Sequence, residues 1–233
     1  MNVAILLSGG TGTRLGSSIP KQYIEVDSKM IIEYSLSRLL HSSKIDGIVI
    51  VCAPEWKNNL IKFESYLKPV IFADAGVTRQ TSVFNGLLKA EKFFKDSINI
   101  VLVHDAARPL VSDKLINDCI DACGRGFDGA MPVLPLKDTI YYSEDNQSIT
   151  KLLDRSKLYA GQAPEAFDFK KYLDAHLKID KEKLLKINGS SELAFLNGMS
   201  IKLIKGDLNN FKITDSEDLN RFKQLCDERE CLI

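Results

Sequence analysis

Several features that would indicate a membrane, secreted or nucleic-acid-binding protein are missing from this sequence. No apolar run approaches the roughly 20 residues that a membrane-spanning helix needs. The N-terminal MNVAILLSGG has no basic region and only a short apolar run, so we expect no signal peptide. Lys and Arg together number 31, as do Asp and Glu, so no overall positive charge attracts nucleic acid. We therefore expect neither a membrane nor a nucleic acid as a partner.

A cysteine framework is also missing. The five cysteines are odd in number and scattered along the chain. Cys119 and Cys123 lie one helical turn apart, but no His or second Cys pair is close enough in sequence to complete a zinc site. We expect free thiols and a protein of the reducing cytoplasm.

Short apolar runs alternate with amphipathic segments along most of the chain. The runs predict strands, and because they are rich in Val, Ile and Leu throughout, they are typical of a parallel sheet buried on both faces. The predicted strands are residues 3–7, 47–53, 69–73, 99–104 and 129–135, and the predicted helices are 30–41, 55–66, 79–94 and 112–124. The pattern predicts an α/β fold: a Rossmann-like, three-layer arrangement around a mostly parallel, twisted sheet.

This alternation ends near residue 135. Residues 136–162 contain β-branched and aromatic pieces around the polar stretch SEDNQS, which predicts a hairpin-like arm inserted in the domain. Helices are expected at 165–177 and 190–197, then a strand at MSIKLIKG and a last helix capped by Thr214 and Glu217. No linker divides the chain, so residues 1–233 are expected to form a single domain.

The glycine-rich stretch LLSGGTGTRLGSSIPKQY follows the first strand and precedes the first helix, where open α/β sheets bind ligands. It fits neither common phosphate-binding pattern. Leu15 stands where a dinucleotide-binding loop starting at Gly10 needs its third glycine, and no Gly-Lys-Ser/Thr follows at the P-loop spacing. A dehydrogenase and a Walker-type ATPase are therefore disfavoured.

The same stretch could still hold phosphates. Glycines leave backbone N–H groups unshielded, and such groups can surround phosphate oxygens. Arg14 and Lys21 could neutralise a triphosphate and the charge that develops during its transfer. A glycine-rich turn with two solvated cations is the alternative.

Two further strand ends carry candidate residues. In VHDAARPL, Asp105 could approach the Mg²⁺ of a nucleotide and Arg108 a phosphate, or they could cap a turn and form a surface ion pair; His104 is expected to be packed rather than catalytic. Residues 74–87 carry Gly76 and several hydroxyl side chains, which could contact a base or ribose or could simply cap a helix.

Together these stretches resemble one family. SGGTGTRLGSSIPKQ, HDAARP, AGVTRQTSVFNGL, LKDT, LDRSKLYAGQAP and NNFKITDSEDL occur in the order and approximate spacing of the CTP-dependent polyol-phosphate cytidylyltransferases. Members act on ribitol 5-phosphate or 2-C-methyl-D-erythritol 4-phosphate and make precursors of surface polymers or isoprenoids. The resemblance covers nearly the whole chain and implies transfer of CMP from CTP to a polyol phosphate, with Mg²⁺ and release of pyrophosphate.

The resemblance also implies roles for individual residues. Catalysis would involve Arg14, Lys21, Arg155 and Lys212. The nucleotide would contact Leu7, Ser8, Gly9, Gly10, Thr11, Gly12, Thr13, Ala75, Gly76, Arg79, Ser82, Asp105 and Ala106. The acceptor would contact Asp105, Arg108, Thr139, Arg155 and Lys212, and Asp105 would also approach the metal. Residues 136–162 would exchange across a homodimer, so part of the acceptor pocket would come from the other subunit.

The sequence departs from the family pattern on the acceptor side. Asn188 and Gly189 stand where many relatives have a Thr-Asp pair, and Asn209 stands where an acid is common. GGTGTR and YAGQAP are more similar to the ribitol-phosphate branch, whereas HDAARP is more similar to the methylerythritol branch. The donor is therefore better indicated than the acceptor, with a slight preference for a surface-polymer precursor.

Two alternative functions remain open. One is a nucleotidyltransferase that uses another nucleoside triphosphate and a sugar phosphate. The other is a non-catalytic nucleotide-binding protein of the same fold.

Overall fold

A computed structural model describes residues 1–10, 19–65 and 68–228. Its strands are β1 (Asn2–Leu7), β2 (Glu25–Val26), β3 (Lys29–Met30), β4 (Gly47–Cys52), β5 (Val70–Asp74), β6 (Ile100–Asp105), β7 (Gly129–Pro135), β8 (Tyr141–Tyr142), β9 (Lys151–Leu152), β10 (Tyr159–Gly161), β11 (Glu165–Asp168) and β12 (Ile201–Lys205). Its α-helices are α1 (Ile31–His41), α2 (Lys57–Leu60), α3 (Arg79–Phe94), α4 (Asp113–Gly124), α5 (Phe169–Lys178), α6 (Lys181–Lys186), α7 (Ser190–Leu196) and α8 (Ser216–Asp227).

Eight of these strands form one mixed sheet. β1 pairs in parallel with β4 and β6, β4 with β5, and β7 with β12. β11 lies between β6 and β7 and is antiparallel to both. β10 is also antiparallel to β7 and pairs with the last residues of that strand. The chain runs outward from β1 through β4 to β5 and then crosses back to β6 on the other side of β1. The carboxyl ends of β1 and β6 therefore flank the point where the strand order reverses, which is the usual ligand position in such sheets.

The sheet is covered on both faces, and alternate residues of β4 show this. Ile48 and Ile50 belong to the apolar cluster that includes α1 and α4, whereas Val49 and Val51 belong to the cluster that includes α3 and α5. All six residues of β4 are buried. Continuous apolar strands are needed because both faces are covered. The predicted α/β architecture is confirmed.

The five strands predicted before residue 136, the strand at MSIKLIKG and four of the predicted helices (30–41, 79–94, 112–124 and 190–197) are observed within a residue or two of their expected bounds. Two helix predictions were partly wrong. Residues 55–66 contain α2 between two short 3₁₀ helices, Pro54–Trp56 and Ile61–Ser65. Residues 165–177 begin as β11, because Glu165–Asp168 pair with β6, and become helical only at Phe169. α6 was not predicted.

The segment 136–162 contains the expected hairpin, formed by β8 and β9. Its last strand, β10, instead pairs with β7 in the main sheet. The expected cap of the last helix is displaced by one residue: the Asp215 carboxylate, not the Thr214 hydroxyl, accepts from the helix, and the donor is the Asp218 backbone N–H at 3.0 Å. No helix among the described residues is long and apolar enough to cross a bilayer.

Candidate active site

A cavity of about 560 Å³ opens at the carboxyl ends of β1 and β6. Five separate chain segments form its wall. The lining residues are Leu7, Ser8, Gly9, Gly10, Lys21, Gln22, Gly76, Val77, Thr78, Arg79, Ser82, Asp105, Ala107, Lys212 and Thr214. The cavity thus brings together Lys21, Asp105 and Lys212, three residues to which the resemblance gives roles. Thr11, Gly12, Thr13 and Arg14 lie outside the described residues, so their expected roles stay predictions.

The start of the glycine-rich loop is held by the short 3₁₀ helix Lys21–Tyr23. The Gln22 side-chain amide donates to the backbone carbonyls of Ser8 and Gly10, at 2.6 and 2.8 Å. The Tyr23 hydroxyl also donates to the Ser8 carbonyl, at 3.0 Å. Lys21 therefore lies on the same helical turn that fixes the loop.

Gly9 is required by a close approach between two strand ends. A Cβ atom at Gly9 would lie 2.3 Å from the Cβ of Ala75, whereas one at Gly10 would meet no atom within 4 Å. Ala75 itself donates its backbone N–H to the Cys52 carbonyl. Ala75 is not among the residues that line the cavity. Its side chain packs directly against Gly9 of the loop.

The hydroxyl groups of residues 78–82 cap α3. Thr78 and Thr81 form a reciprocal capping box, with the Thr81 N–H donating to Thr78 Oγ1 and the Thr78 N–H donating to Thr81 Oγ1. Ser82 Oγ accepts from the Gly76 N–H and donates to the Thr78 carbonyl. A Cβ at Gly76 would lie 2.2 Å from Thr81 Oγ1. Helix capping is therefore observed, and because Gly76, Thr78 and Ser82 also line the cavity, their expected contact with a nucleotide stays a prediction.

Asp105 lies between positively charged side chains. Arg79 Nε lies 3.3 Å from Asp105 Oδ1, and Lys212 Nζ lies 2.9 Å from Oδ2. Arg108 Nε is 3.8 Å from Oδ2. Burial alone would raise the pKa of Asp105, but the charges of Arg79, Lys212 and Arg108 outweigh it and hold that pKa well below its ordinary value. Asp105 is ionised throughout the physiological range.

These contacts do not fit the expected role of Asp105 as a metal ligand. Both carboxylate oxygens face cationic groups, which would repel Mg²⁺. Mg²⁺ prefers carboxylate and phosphate oxygens, and the described residues contain no cluster of three or more His, Cys, Asp or Glu side chains that could hold a metal. The metal role of Asp105 stays a prediction, and the phosphates of a bound nucleotide would offer oxygen ligands for the ion.

Arg79 is also held from its other side. Its guanidinium lies 3.3 Å from Glu165 Oε1 and donates to Ser190 Oγ at 2.6 Å. Glu165 Oε2 in turn accepts from the backbone and hydroxyl of Ser191, at 2.9 and 2.7 Å. Arg79, which is expected to contact the nucleotide, thus has its guanidinium fixed between the carboxylates of Asp105 and Glu165. The residue also lines the cavity.

Arg108 and His104 are structural side chains here. Arg108 donates to the Asn210 carbonyl at 2.7 Å and is not among the cavity-lining residues, and its expected acceptor contact stays a prediction. His104 is fully buried, with Nε2 3.1 Å from the Arg108 carbonyl, and burial lowers its pKa to about 4. His104 is packed, as expected, and neutral at pH 7. Ala106, expected at the nucleotide, is also fully buried, and Ala107 lines the cavity in its place.

Thr139 and Arg155 lie away from this cavity. Both are exposed, and Arg155 donates to the Lys137 carbonyl within its own segment. Asn188 and Asn209, the two departures from the family pattern, are exposed as well, and their backbone N–H groups donate to Glu192 and Asp207.

Sequence reasoning missed three supporting residues: Gln22, Glu165 and Ser190. Gln22 adjoins Lys21 in PKQY, which was a usable signal. Glu165 and Ser190 meet Arg79 only because β11 and α7 come together in the fold, and no local pattern shows that.

Comparisons with known proteins agree on one family. The family profile described as 2-C-methyl-D-erythritol 4-phosphate cytidylyltransferase matches residues 2–226. The chain is similar to the ribitol-5-phosphate cytidylyltransferase of Vibrio parahaemolyticus, with 34% identity over 100% of this chain and 98% of that protein. It is also similar to the 2-C-methyl-D-erythritol 4-phosphate cytidylyltransferase of Clostridium beijerinckii, with 37% identity over 93% of this chain and 94% of that protein.

A solved structure agrees. The crystal structure of 4-diphosphocytidyl-2C-methyl-D-erythritol synthase from Anaerococcus prevotii superposes with a TM-score of 0.80 at 25% identity, covering 97% of this chain and 98% of that chain.

Proposed function

This chain belongs to the 2-C-methyl-D-erythritol 4-phosphate cytidylyltransferase family, and from that premise we propose that it transfers CMP from CTP to ribitol 5-phosphate. It is a cytidylyltransferase acting on polyol phosphates. The proposal concerns the acceptor and the roles of individual residues. The products would be CDP-ribitol and pyrophosphate, made in the cytoplasm as a precursor of a surface polymer.

The observation that carries the proposal is the pair of lysines on separate elements of one cavity. Lys21 follows the glycine-rich loop, and Lys212 lies before α8, beside Asp105. The reaction brings together a triphosphate and a phosphate monoester, which repel one another. Two cationic side chains on different segments can hold the two anions close together, and such positioning is the main source of rate in phosphoryl-type transfer.

On the donor side, the triphosphate would lie against the backbone of Ser8–Gly10, with Arg14 and Lys21 next to its phosphates. An oxygen of the acceptor phosphate would attack the α-phosphorus in line. The bond between that phosphorus and the bridging oxygen would break, and pyrophosphate would leave with the electron pair. Arg14 and Lys21 would stabilise the extra charge of the transition state, so no covalent enzyme intermediate is needed. Mg²⁺ bound to the CTP phosphates would supply further neutralising charge.

On the acceptor side, Lys212 would hold the acceptor phosphate, and Asp105 would keep its ammonium group in place. The Asp105 carboxylate, ionised and next to the cavity, is also placed to accept a hydrogen bond from a polyol hydroxyl. The Ser8–Gly10 loop and Asp105 both follow or end parallel strands, β1 and β6, at their carboxyl ends, which is the usual ligand position in such sheets.

Thr139 and Arg155 would reach the acceptor only from a second copy of the chain. Both lie in the hairpin segment, away from the cavity of their own chain. The segment exposes large apolar side chains at Tyr141, Ile149 and Leu152, which are 56%, 62% and 74% exposed. Exposed apolar groups on a hairpin with two-residue strands favour a partner surface. The proposed assembly is therefore a homodimer in which the 136–162 arms exchange.

2-C-Methyl-D-erythritol 4-phosphate is the second candidate acceptor. The family profile and the Clostridium beijerinckii relative carry its name. Ribitol 5-phosphate is preferred because GGTGTR and YAGQAP are more similar to that branch.

The decisive experiment is a panel assay of pyrophosphate release. The protein is incubated with CTP, Mg²⁺ and each polyol phosphate in turn, and then with UTP, GTP or ATP in place of CTP. We expect the highest kcat/KM for CTP with ribitol 5-phosphate. A higher kcat/KM with 2-C-methyl-D-erythritol 4-phosphate would transfer the assignment to that acceptor. Activity independent of CTP would contradict the proposal.

A further inference from the structure

Two buried glutamines hold the backbone of loops close to the two lysines of the cavity. Gln22 is 3% exposed and Gln162 is 7% exposed. The two residues are far apart in sequence and on different elements, yet each directs its side-chain amide at backbone carbonyls of a loop next to a cavity lysine.

Gln22 fixes the donor side. Its Nε2 donates to the carbonyls of Ser8 and Gly10, so both hydrogens of the amide group are used. Ser8 is further held by its hydroxyl, which donates to the Val51 carbonyl at 2.9 Å. The loop backbone and Lys21 are therefore joined through one buried amide.

Gln162 fixes the acceptor side. Its Nε2 donates to the carbonyls of Asp207 and Asn210, at 2.9 and 3.3 Å, and its Oε1 accepts from the Asp207 N–H at 3.0 Å. Asn210 in turn donates to the Ala163 carbonyl at 2.7 Å. Residues 207–210 lead directly to Lys212, so the approach to this lysine is held to the main sheet through Gln162.

We propose that Gln22 and Gln162 are positioning residues with separate duties, Gln22 for the CTP half of the site and Gln162 for the acceptor half. This assignment rests on the proposed function, which places CTP at the Ser8–Gly10 loop and the acceptor at Lys212. Neither glutamine needs to touch a reacting atom. Each sets where a substrate-binding loop lies.

The test is a pair of isosteric variants, Gln22→Glu and Gln162→Glu. Each replaces a donor by a carboxylate that faces two carbonyl oxygens and leaves both carbonyls without their donor. Leaving buried polar groups unpaired in this way weakens the dependent binding step by about tenfold or more. The two variants have the same chemistry and similar burial, so each serves as the matched control of the other. Gln224→Glu on the exposed side of α8 controls for the added charge.

Substrate constants are the first readout. In calorimetry with Mg²⁺, Gln22→Glu should raise the Kd of CTP about tenfold, and Gln162→Glu should leave it within about twofold. In steady-state assays at saturating CTP, Gln162→Glu should raise the acceptor KM about tenfold, and Gln22→Glu should leave it within about twofold. Lowering the pH should restore part of each loss, because a protonated Glu regains one donor and burial raises its pKa. A similar increase in both the CTP Kd and the acceptor KM, seen in both variants, would overturn the proposal.

Hydrogen exchange of the free protein gives a readout that needs no substrate. Gln22→Glu should speed exchange in the peptide containing residues 8–10 and leave residues 206–214 unchanged, and Gln162→Glu should do the reverse. Unchanged exchange in both loops would overturn the proposal whatever the substrate. If the exchange pattern is as expected but wild-type protein binds no CTP, the proposed function fails and the loop-positioning role stands.

Discussion

Lys212 Nζ donates to Asp105 Oδ2 across 2.9 Å, joining the segment before α8 to the end of β6 at the edge of the cavity. The carboxylate is 11% exposed and the lysine 34% exposed, so the pair is half-shielded from water. Asp105 has Arg79 on its other oxygen. A single carboxylate therefore orients two cations that line the site.

Asp105→Asn should lower the free energy of unfolding at pH 7 by about 3 kcal/mol, because it leaves Arg79 and Lys212 without their shared counterion. The effect should depend on pH. The pKa of Asp105 in the folded state is lower than in the unfolded chain, so the stability it contributes is present above the unfolded pKa, near 4, and is lost as pH falls towards the folded pKa. Urea unfolding of both proteins from pH 7 to pH 3 measures this. The difference in unfolding free energy between the two proteins should become smaller below about pH 4. A difference that stays constant with pH would contradict the low pKa of Asp105.

Lys21→Ala should lower kcat far more than it weakens CTP binding. A cation that acts on charge developed in the transition state is worth about 10²- to 10³-fold in kcat, whereas the ground-state triphosphate keeps its backbone contacts. Steady-state rates and calorimetric CTP affinity measure the two effects separately. Lys223→Ala, on the exposed side of α8, is the matched control. Equal losses in affinity and in kcat/KM would make Lys21 a simple binding residue.

The strands and the position of the site could be predicted because their signals are local. A strand such as Gly47–Cys52, buried on both faces, must be apolar throughout, and a glycine-rich turn after β1 must lie where such sheets bind ligands. The strand Glu165–Asp168 could not be predicted in the same way. It is short, and only its pairing with β6 and β7 makes it a strand.

The residues of the site divide in the same way, into those with a local sequence signal and those whose contacts arise only in the fold. Hydroxyls at a helix start can cap it or bind a ligand, so both alternatives for Thr78 and Ser82 were visible in sequence. The hydrogen bonds show the capping, and because both residues also line the cavity, contact with a ligand stays a prediction. The environment of Asp105 could be read only in part, because Arg108 is close to it in sequence whereas Arg79 and Lys212 come from distant segments.

Gly9→Ala and Gly10→Ala form a matched pair that tests the loop packing. A methyl group at Gly9 would lie 2.3 Å from the Ala75 Cβ and 3.5 Å from its Cα, neither of which can rotate away. A methyl group at Gly10 has open space. We expect Gly9→Ala to lower the unfolding free energy by about 1 to 3 kcal/mol and Gly10→Ala to change it by less than about 0.5 kcal/mol. Urea unfolding measures both, and equal effects would contradict the close approach.

Arg155→Ala should raise the acceptor KM and leave CTP affinity nearly unchanged, and a mixed dimer should show which subunit supplies the arginine. In a dimer of one Lys21→Ala chain and one Arg155→Ala chain, the second chain keeps its own Lys21 and would receive Arg155 from its partner. One of the two sites would then be intact, so purified mixed dimers carrying two different tags should regain about half of the wild-type activity.

The control for that experiment pairs Lys21→Ala with Lys212→Ala. Both lysines line the cavity of their own chain, so neither subunit of this mixed dimer has a complete site and activity should stay low. The comparison requires that the Arg155→Ala homodimer, assayed below the acceptor KM, is itself impaired; an unimpaired homodimer would place Arg155 outside the acceptor site. With that impairment, recovery in the first dimer and not in the second requires an arm that crosses between subunits. Absence of recovery in both, with size-exclusion chromatography and light scattering showing intact dimers, would mean that Arg155 serves the site of its own chain and would contradict the exchanged arm.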